Sequence, residues 1–142
     1  MYVVDANVLL YAVNESAERH ELSRTWLDAA LNGEEQVGFA WTALLAFLRL
    51  ATHPAVFPRP LEVTQATEIV RDWLAQPLSI VLHPTARHAD LLSGLLAEAG
   101  SGGNLVNDAH LAALAVEHDA VLVSFDTDYA RFRGLRRQVP TG

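Results

Sequence analysis

The sequence predicts an α/β fold, a mostly parallel central sheet flanked by helices on both faces, and three observations lead there. Short, nearly continuous apolar runs alternate along the chain with longer stretches of helical spacing, and strand alternating with helix builds a parallel sheet under helical cover. The short runs lack the apolar–polar alternation of a half-exposed strand, so both faces of the sheet are expected to be buried. The 142 residues, 51% apolar and only 19% charged, suffice for one domain over 1–142 with its own core. No repeat, low-complexity tract or linker divides the chain.

The elements follow in order. Residues 2–4 (YVV) read as the first strand, and Leu22, Trp26 and Ala30 step by four along a helix. A second strand is expected at 37–41 (VGFAW). Pro54, Pro58 and Pro60 then separate one helical stretch from the next, on which Ala66, Ile69, Val70, Trp73 and Leu74 share a face. The third strand falls at 79–82 (SIVL). Leu91, Leu92, Leu95, Leu96 and Ala99 face one way on a helix that Gly100, Gly102 and Gly103 close. Residues 107–118 (NDAHLAALAVEH) make the last helix, with Leu111, Leu114, Ala115 and His118 on one side, before a strand at 121–125 (VLVSF). Trp26, Trp41, Trp73, Phe39 and Phe47 occupy apolar-periodic positions and are assigned to the core or a dimer face rather than to base stacking. In such a sheet the ligand crevice lies beyond the carboxyl ends of the strands, at a switch point.

Composition removes several chemistries. All ten basic residues are arginine, so a Walker-A loop, a Schiff-base lysine and a pyridoxal enzyme are excluded. With no cysteine there is no disulfide, thiolate metal site or cysteine nucleophile. The six histidines (20, 53, 83, 88, 110 and 118) form no HExxH and are expected to be structural or superficial. AGSGG (99–103) misses the G-x-S-x-G elbow by one residue. No apolar run is long enough to span a membrane, and MYVVDANVLL lacks a basic leader segment, so a cytoplasmic location is expected.

The acids carry the chemistry. Glu15, Glu18, Glu21, Asp28, Glu34, Glu35, Glu62, Glu68, Asp72, Asp90 and Glu98 lie between apolar positions of helices and read as solvated surface. Four others do not. Asp5 ends the first strand between apolar neighbours, where a carboxylate is costly unless hydrogen-bonded or bound to a cation; the alternative is a helix N-cap. Asp126 ends the last strand and Asp128 follows at i+2, a spacing that turns both to one side if the strand continues, or else forms a cap or Asx turn. Asp108 falls in the first turn of the last helix after Asn107, where the dipole favours its ionised form; the preceding glycine-rich loop is a weak candidate for holding phosphate. Carboxylates within ~4–6 Å of one another repel. A divalent cation relieves that repulsion, and hard oxygen donors select Mg2+ or Mn2+. Together the acids indicate a metal-dependent phosphodiester hydrolase.

Most of the chain resembles a PIN-domain ribonuclease, the VapC-type toxin of bacterial toxin–antitoxin pairs. The resemblance rests on YVVDANVLLYA (2–12), AWTALLAFLRLATHP (40–54), GGNLVNDAHLAALAVEHDAVLVSFDTDYARF (102–132) and GLRRQVP (134–140), with D-x-D-[FY] after the last strand as its most specific part. It implies a three-layer PIN-like fold and a Mg2+-dependent endoribonuclease, with Mn2+ substituting, that hydrolyses RNA by metal-activated water. It implies metal-ligand roles for Asp5, Asp108 and Asp126, with Asp128 assisting, and places Asn7 and Ser124 where the family orients its carboxylates. A VapB-type antitoxin and a homodimer are implied as partners.

One position departs from the family. Where it usually carries glutamate, three residues before an arginine, this chain has Ala46 ahead of Arg49. An alternative reading follows, a PIN-fold module that binds RNA or antitoxin without cutting. FDTDY also resembles the D-x-D of haloacid-dehalogenase-like phosphatases, but those carry the motif near the start and normally use a lysine. The net charge of −7 opposes an RNA partner, and Arg131, Arg133, Arg136 and Arg137 near the last acids are the candidates for a local basic rim.

Overall fold

A computed structural model describes residues 1–100 and 104–142. Five strands form one sheet in which every pairing is parallel: β1 (Tyr2–Val4), β2 (Val37–Phe39), β3 (Ser79–Val81), β4 (Val121–Val123) and β5 (Arg137–Gln138), in the spatial order β3-β2-β1-β4-β5. The chain runs outward from β1 through β2 to β3, then returns to the other side of β1 with β4. The switch point is therefore the seam between β1 and β4, where Val3 pairs with Leu122 and Val4 with Val123.

Helices α1 (Ala6–Val13), α2 (His20–Leu31), α3 (Trp41–Ala51) and α4 (Val63–Leu74) pack on one face, and α5 (His88–Ala99) and α6 (Asn104–Glu117) on the other. Strand alternation divides the seam between them. Val4 and Val123 point into the first core, with Val8, Leu44, Phe47 and Trp73; Val3 and Leu122 point into the second, with Ala109, Ala112 and Leu114. The aromatic centre of the first core is tight, Phe47 meeting Trp73 edge-on at 4.8 Å between ring centroids. A Cβ at Gly38 in β2 would stand 2.6 Å from Leu82 Cδ1 and 3.0 Å from the Tyr2 carbonyl oxygen, so a larger residue there would oblige the Leu82 side chain to shift. Gly100 ends α5 at φ +93°, in the left-handed region that favours glycine.

Several sequence expectations change. The second and fourth strands stop at Phe39 and Val123, earlier than their apolar runs, because Ala40 is the extended residue from which α3 begins and Ser124 turns its hydroxyl to the site. β5 carries no apolar signature in the sequence: it is two residues long, Arg137 and Gln138 pairing with Leu122 and Val123 of β4. The last helix begins at Asn104, so Asn107 is not its cap and Asp108 lies in the second turn rather than the first. The phosphate-holding role considered for Gly102 and Gly103 falls outside the described residues. Of the aromatics assigned to the core or a dimer face, Trp26, Trp73, Phe39 and Phe47 are buried in the core, and Trp41 lies outside it, 45% exposed. Among the described residues no helix is long and apolar enough to cross a membrane.

Candidate metal centre at the β1–β4 seam

Asp5 is held by its own helix and by the neighbouring strand. Its backbone amide donates to the Val123 carbonyl at 3.0 Å, which continues the β1–β4 ladder by one residue. Its Oδ1 accepts the Ala6 amide at 2.8 Å, the N-cap bond of α1. Its Oδ2 accepts the Ser124 hydroxyl at 2.7 Å and the Asn7 amide at 3.4 Å. The N-cap reading of Asp5 is therefore realised, and its second oxygen is turned to Ser124 and Asn7 at the seam. Burial pushes its carboxyl above the ordinary carboxylate range, and the nearby Asp126 adds to that shift; the Ser124 and Ala6 hydrogen bonds oppose it.

Ser124 is the joint of the seam. Its Oγ donates to Asp5 and accepts from Asn7 Nδ2 and from the Asp126 amide, both at 3.0 Å. Asn7 completes the link by accepting the Phe125 amide on its Oδ1 at 3.3 Å.

Asp126 does not continue the strand. It caps a 3-10 turn (Thr127–Arg131) by accepting the Asp128 amide at 2.8 Å. The i, i+2 strand geometry therefore does not apply. Asp128 points outward, about half exposed, 4.0 Å from Arg131.

Asp108 faces the same centre from α6. Burial first, then the charges of Asp126, Asp5 and Asp128, raise its pKa to about 6. The helix dipole does not lower its pKa as expected, because the carboxylate sits a turn inside the helix and beside other acids. The buried Tyr129 hydroxyl donates to Asp108 Oδ1 at 3.4 Å, and its own pKa is raised by burial and by these aspartates, so it stays protonated. Tyr129 was not singled out from sequence; its place directly after D-x-D was the available signal.

Asp5 and Asp108 open on a cleft of about 340 Å³ between α3 and α6, lined also by Thr42, Ala46, Arg49 and Tyr129; Asp126 and Asp128 do not border it. Ala46 is on that lining, so the missing glutamate is missing from the site itself. A larger hollow of about 540 Å³ lies beyond the end of α1, near Phe57 and Arg59, and none of the four aspartates borders it.

The donor set suits a hard divalent cation. Asp5, Asp108 and Asp126 are near enough to disturb one another, and among the described residues no basic side chain forms an ion pair with any of them. The set is open: among the described residues no three histidine or carboxylate groups already surround a common point at ligand distance. Closing it requires side-chain rotation, which is more available to Asp108 than to Asp5 with its three hydrogen bonds.

Of the four C-terminal arginines expected at a basic rim, Arg131 stands beside Asp128, while Arg133 and Arg136 are engaged elsewhere. Arg136 binds Asp119 through its carbonyl and carboxylate at 2.8 and 2.7 Å, and both residues precede their strands, at the opposite edge of the sheet. Arg133 borders a separate groove with Asp90 and Glu98. The histidines stay away from the acids. His20 Nδ1 bonds the Tyr11 carbonyl, His118 Nε2 the His83 carbonyl, and His88 lies between His110 and Glu117.

Residues 2–135 match the PIN domain family. The chain is 58% identical to ribonuclease VapC37 of Mycobacterium tuberculosis over 140 residues, covering 99% of this chain and 97% of that protein. Among solved structures it superposes on VapBC-1 from nontypeable Haemophilus influenzae (TM-score 0.70, 17% identity, 99% and 98% of the two chains). It also superposes on VapC20 of M. tuberculosis, a toxin that cleaves the sarcin-ricin loop (TM-score 0.68, 16% identity, 96% and 99% covered).

Proposed function

The chain belongs to the PIN-domain family and, within it, to the VapC ribonucleases, and on that premise we propose that it is the endoribonuclease toxin of a toxin–antitoxin pair, using Mg2+ or Mn2+ held by Asp5, Asp108 and Asp126. The observation that carries the metal assignment is the convergence of uncompensated carboxylates on the β1–β4 seam. When bound, the ion supplies positive charge against the phosphate and lowers the pKa of water at the site.

The chain's own residues do the rest. Ser124, Asn7 and the Ala6 amide fix the Asp5 carboxylate, so it meets a cation without rearranging. Tyr129 remains a neutral donor and orients Asp108. Asp126 is the third donor, with its Oδ1 turned to the Asp128 amide. Asp128, exposed and beside Arg131, stands at the margin, where it assists. A VapB-type antitoxin is the proposed partner, supported by the VapBC complex among the structural neighbours, and a homodimer the proposed assembly.

Calorimetry with Mn2+ and Mg2+ on the antitoxin-free protein, beside Asp5→Asn and Asp108→Asn, tests this reading before any RNA is chosen. Wild-type binding that disappears in both variants is expected, together with loss of metal-dependent RNA cleavage in both. An Asp108→Asn protein that cuts RNA at the wild-type rate would sink the assignment. RNA binding without metal binding or cleavage would transfer the chain to the non-cutting alternative that Ala46 suggests.

A further inference from the structure

Helix α3 turns one face to the cleft, presenting Thr42, Leu45, Ala46 and Arg49 at helical spacing. Asn107, Asp108 and Leu111 of α6 form the opposite wall, with Asp5 and Ala6 on the floor. The cleft is thus polarised: its carboxylates lie on the floor and the α6 side, and the α3 wall carries a cation and no acid.

Position 46 is the reason. Ala46 precedes Arg49 by three residues, and at that spacing acids and arginines elsewhere in this chain do pair: Glu21 with Arg24 at 3.1 Å, Glu68 with Arg71 at 3.7 Å, Asp128 with Arg131 at 4.0 Å. A glutamate at 46 would stand in the same relation to Arg49. With alanine there, the exposed Arg49 guanidinium makes no salt bridge or side-chain hydrogen bond among the described residues. It lines the same cleft as Asp5 and Asp108 and forms no salt bridge with either.

We propose that Arg49 is a substrate-binding residue that holds a backbone phosphate of the RNA on the α3 wall while the acids hold the metal opposite. This rests on the ribonuclease reading above. A phosphodiester spreads one negative charge over two non-bridging oxygens, and the planar guanidinium fork matches that pair with two parallel hydrogen bonds. The contact positions the strand without reading bases. The glutamate-to-alanine departure then has a use: it removes an acid from the wall and leaves the arginine open to substrate.

The test is binding of a mixed-sequence single-stranded RNA oligonucleotide in EDTA across a salt series, with cleavage of the same RNA in Mn2+ measured alongside. Arg49→Ala should weaken binding by roughly 3–10-fold and flatten the slope of log affinity against log salt by about 0.7, the release expected for one phosphate contact on a single strand. Arg49→Lys should keep the slope and lose part of the affinity, since it retains the charge and loses the fork. Arg71→Ala, which removes an equal charge on α4 far from the cleft, should change neither. Ala46→Glu should weaken RNA binding by pairing with Arg49.

A slope for Arg49→Ala equal to that of Arg71→Ala overturns the proposal, as does an Ala46→Glu protein that binds RNA as well as wild type or better. If wild type neither binds nor cuts RNA with metal present, the ribonuclease reading fails and this inference fails with it. If wild type binds and cuts while Arg49→Ala does so equally well, only the subsite is lost.

Discussion

A serine hydroxyl has one proton to give and two lone pairs to offer, and Ser124 uses all three: toward Asp5, from Asn7 and from the Asp126 amide. Removing that hydroxyl leaves an amide group and a backbone N–H without their acceptor. Ser124→Ala should therefore lower stability by about 1–3 kcal/mol in denaturant unfolding and reduce metal affinity by roughly 10–100-fold in calorimetry. An alanine variant with unchanged metal affinity would show that Asp5 is oriented well enough by Ala6 and Asn7.

Asp108 makes a prediction with the opposite sign for stability. Its folded pKa of about 6 lies above the ordinary 3.8, so the folded state holds the proton more tightly than the unfolded chain. Its contribution is unfavourable at neutral pH and diminishes as pH falls from about 6 towards 3.8. Metal-free Asp108→Asn should melt higher than wild type at pH 7 to 8, with the gain shrinking over that acid range; the carboxyl's partial exposure keeps the gain modest. Equal melting curves at both ends of the range would count against the repulsion. Metal and proton compete for the same oxygens, so wild-type metal affinity should also fall as pH drops below about 6.

At the scale of elements, α5 and α6 are joined by a polar chain inside their apolar contact. Glu117 accepts the Thr85 amide at 2.6 Å and faces His88 Nδ1, while His88 Nε2 lies 2.9 Å from His110 Nδ1. Burial raises the Glu117 pKa, but the His88 and Thr85 bonds outweigh it and leave it below the ordinary carboxylate value. That stabilisation is present above the free glutamate pKa of 4.5 and is lost as pH falls through the folded value. Glu117→Gln should cost about 1–3 kcal/mol at neutral pH and flatten the acid limb of the stability curve; a limb of unchanged steepness in urea unfolding would exclude the chain as its source.

The same scale shows what could be read before the structure. Apolar runs located β1 to β4 because the inner strands are largely buried on both faces and the edge strand β3, though half-buried, keeps an apolar run. β5 left none, since an edge strand of Arg137 and Gln138 is specified by backbone pairing and by its place beside β4. The start of α6 was misplaced because Asn107–Asp108 imitates a cap, although the helix begins at Asn104. Asp5, Asp108 and Asp126 stood out as acids beside apolar runs, but Tyr129 and the Arg49 wall did not. A tyrosine after an Asx turn and an arginine on an amphipathic helix look ordinary until the fold sets them against those acids.

For the whole molecule, the strand order explains why few residues make the site and why they lie so far apart in sequence. Because β4 returns beside β1, the end of the first strand and the end of the fourth become neighbours. The two cores then fix this seam from both sides, Val4 and Val123 below and Val3 and Leu122 above. The net charge of −7 also looks different in three dimensions. Part of it is gathered at the seam, where a cation would mask it, and Arg49 faces that part across the cleft.

That seam also has a bearing on biosynthesis. Asp5 and Ser124 are separated by 119 positions, so a ribosome has made most of the chain before the first acid can acquire its orienting serine or its acidic neighbour Asp126. Pairing over so long a span is slow to form and comes late in folding. A nascent or prematurely terminated chain that stops before residue 121 has β1 and α1 but no assembled centre. The topology delays assembly of the proposed metal centre until synthesis is nearly finished.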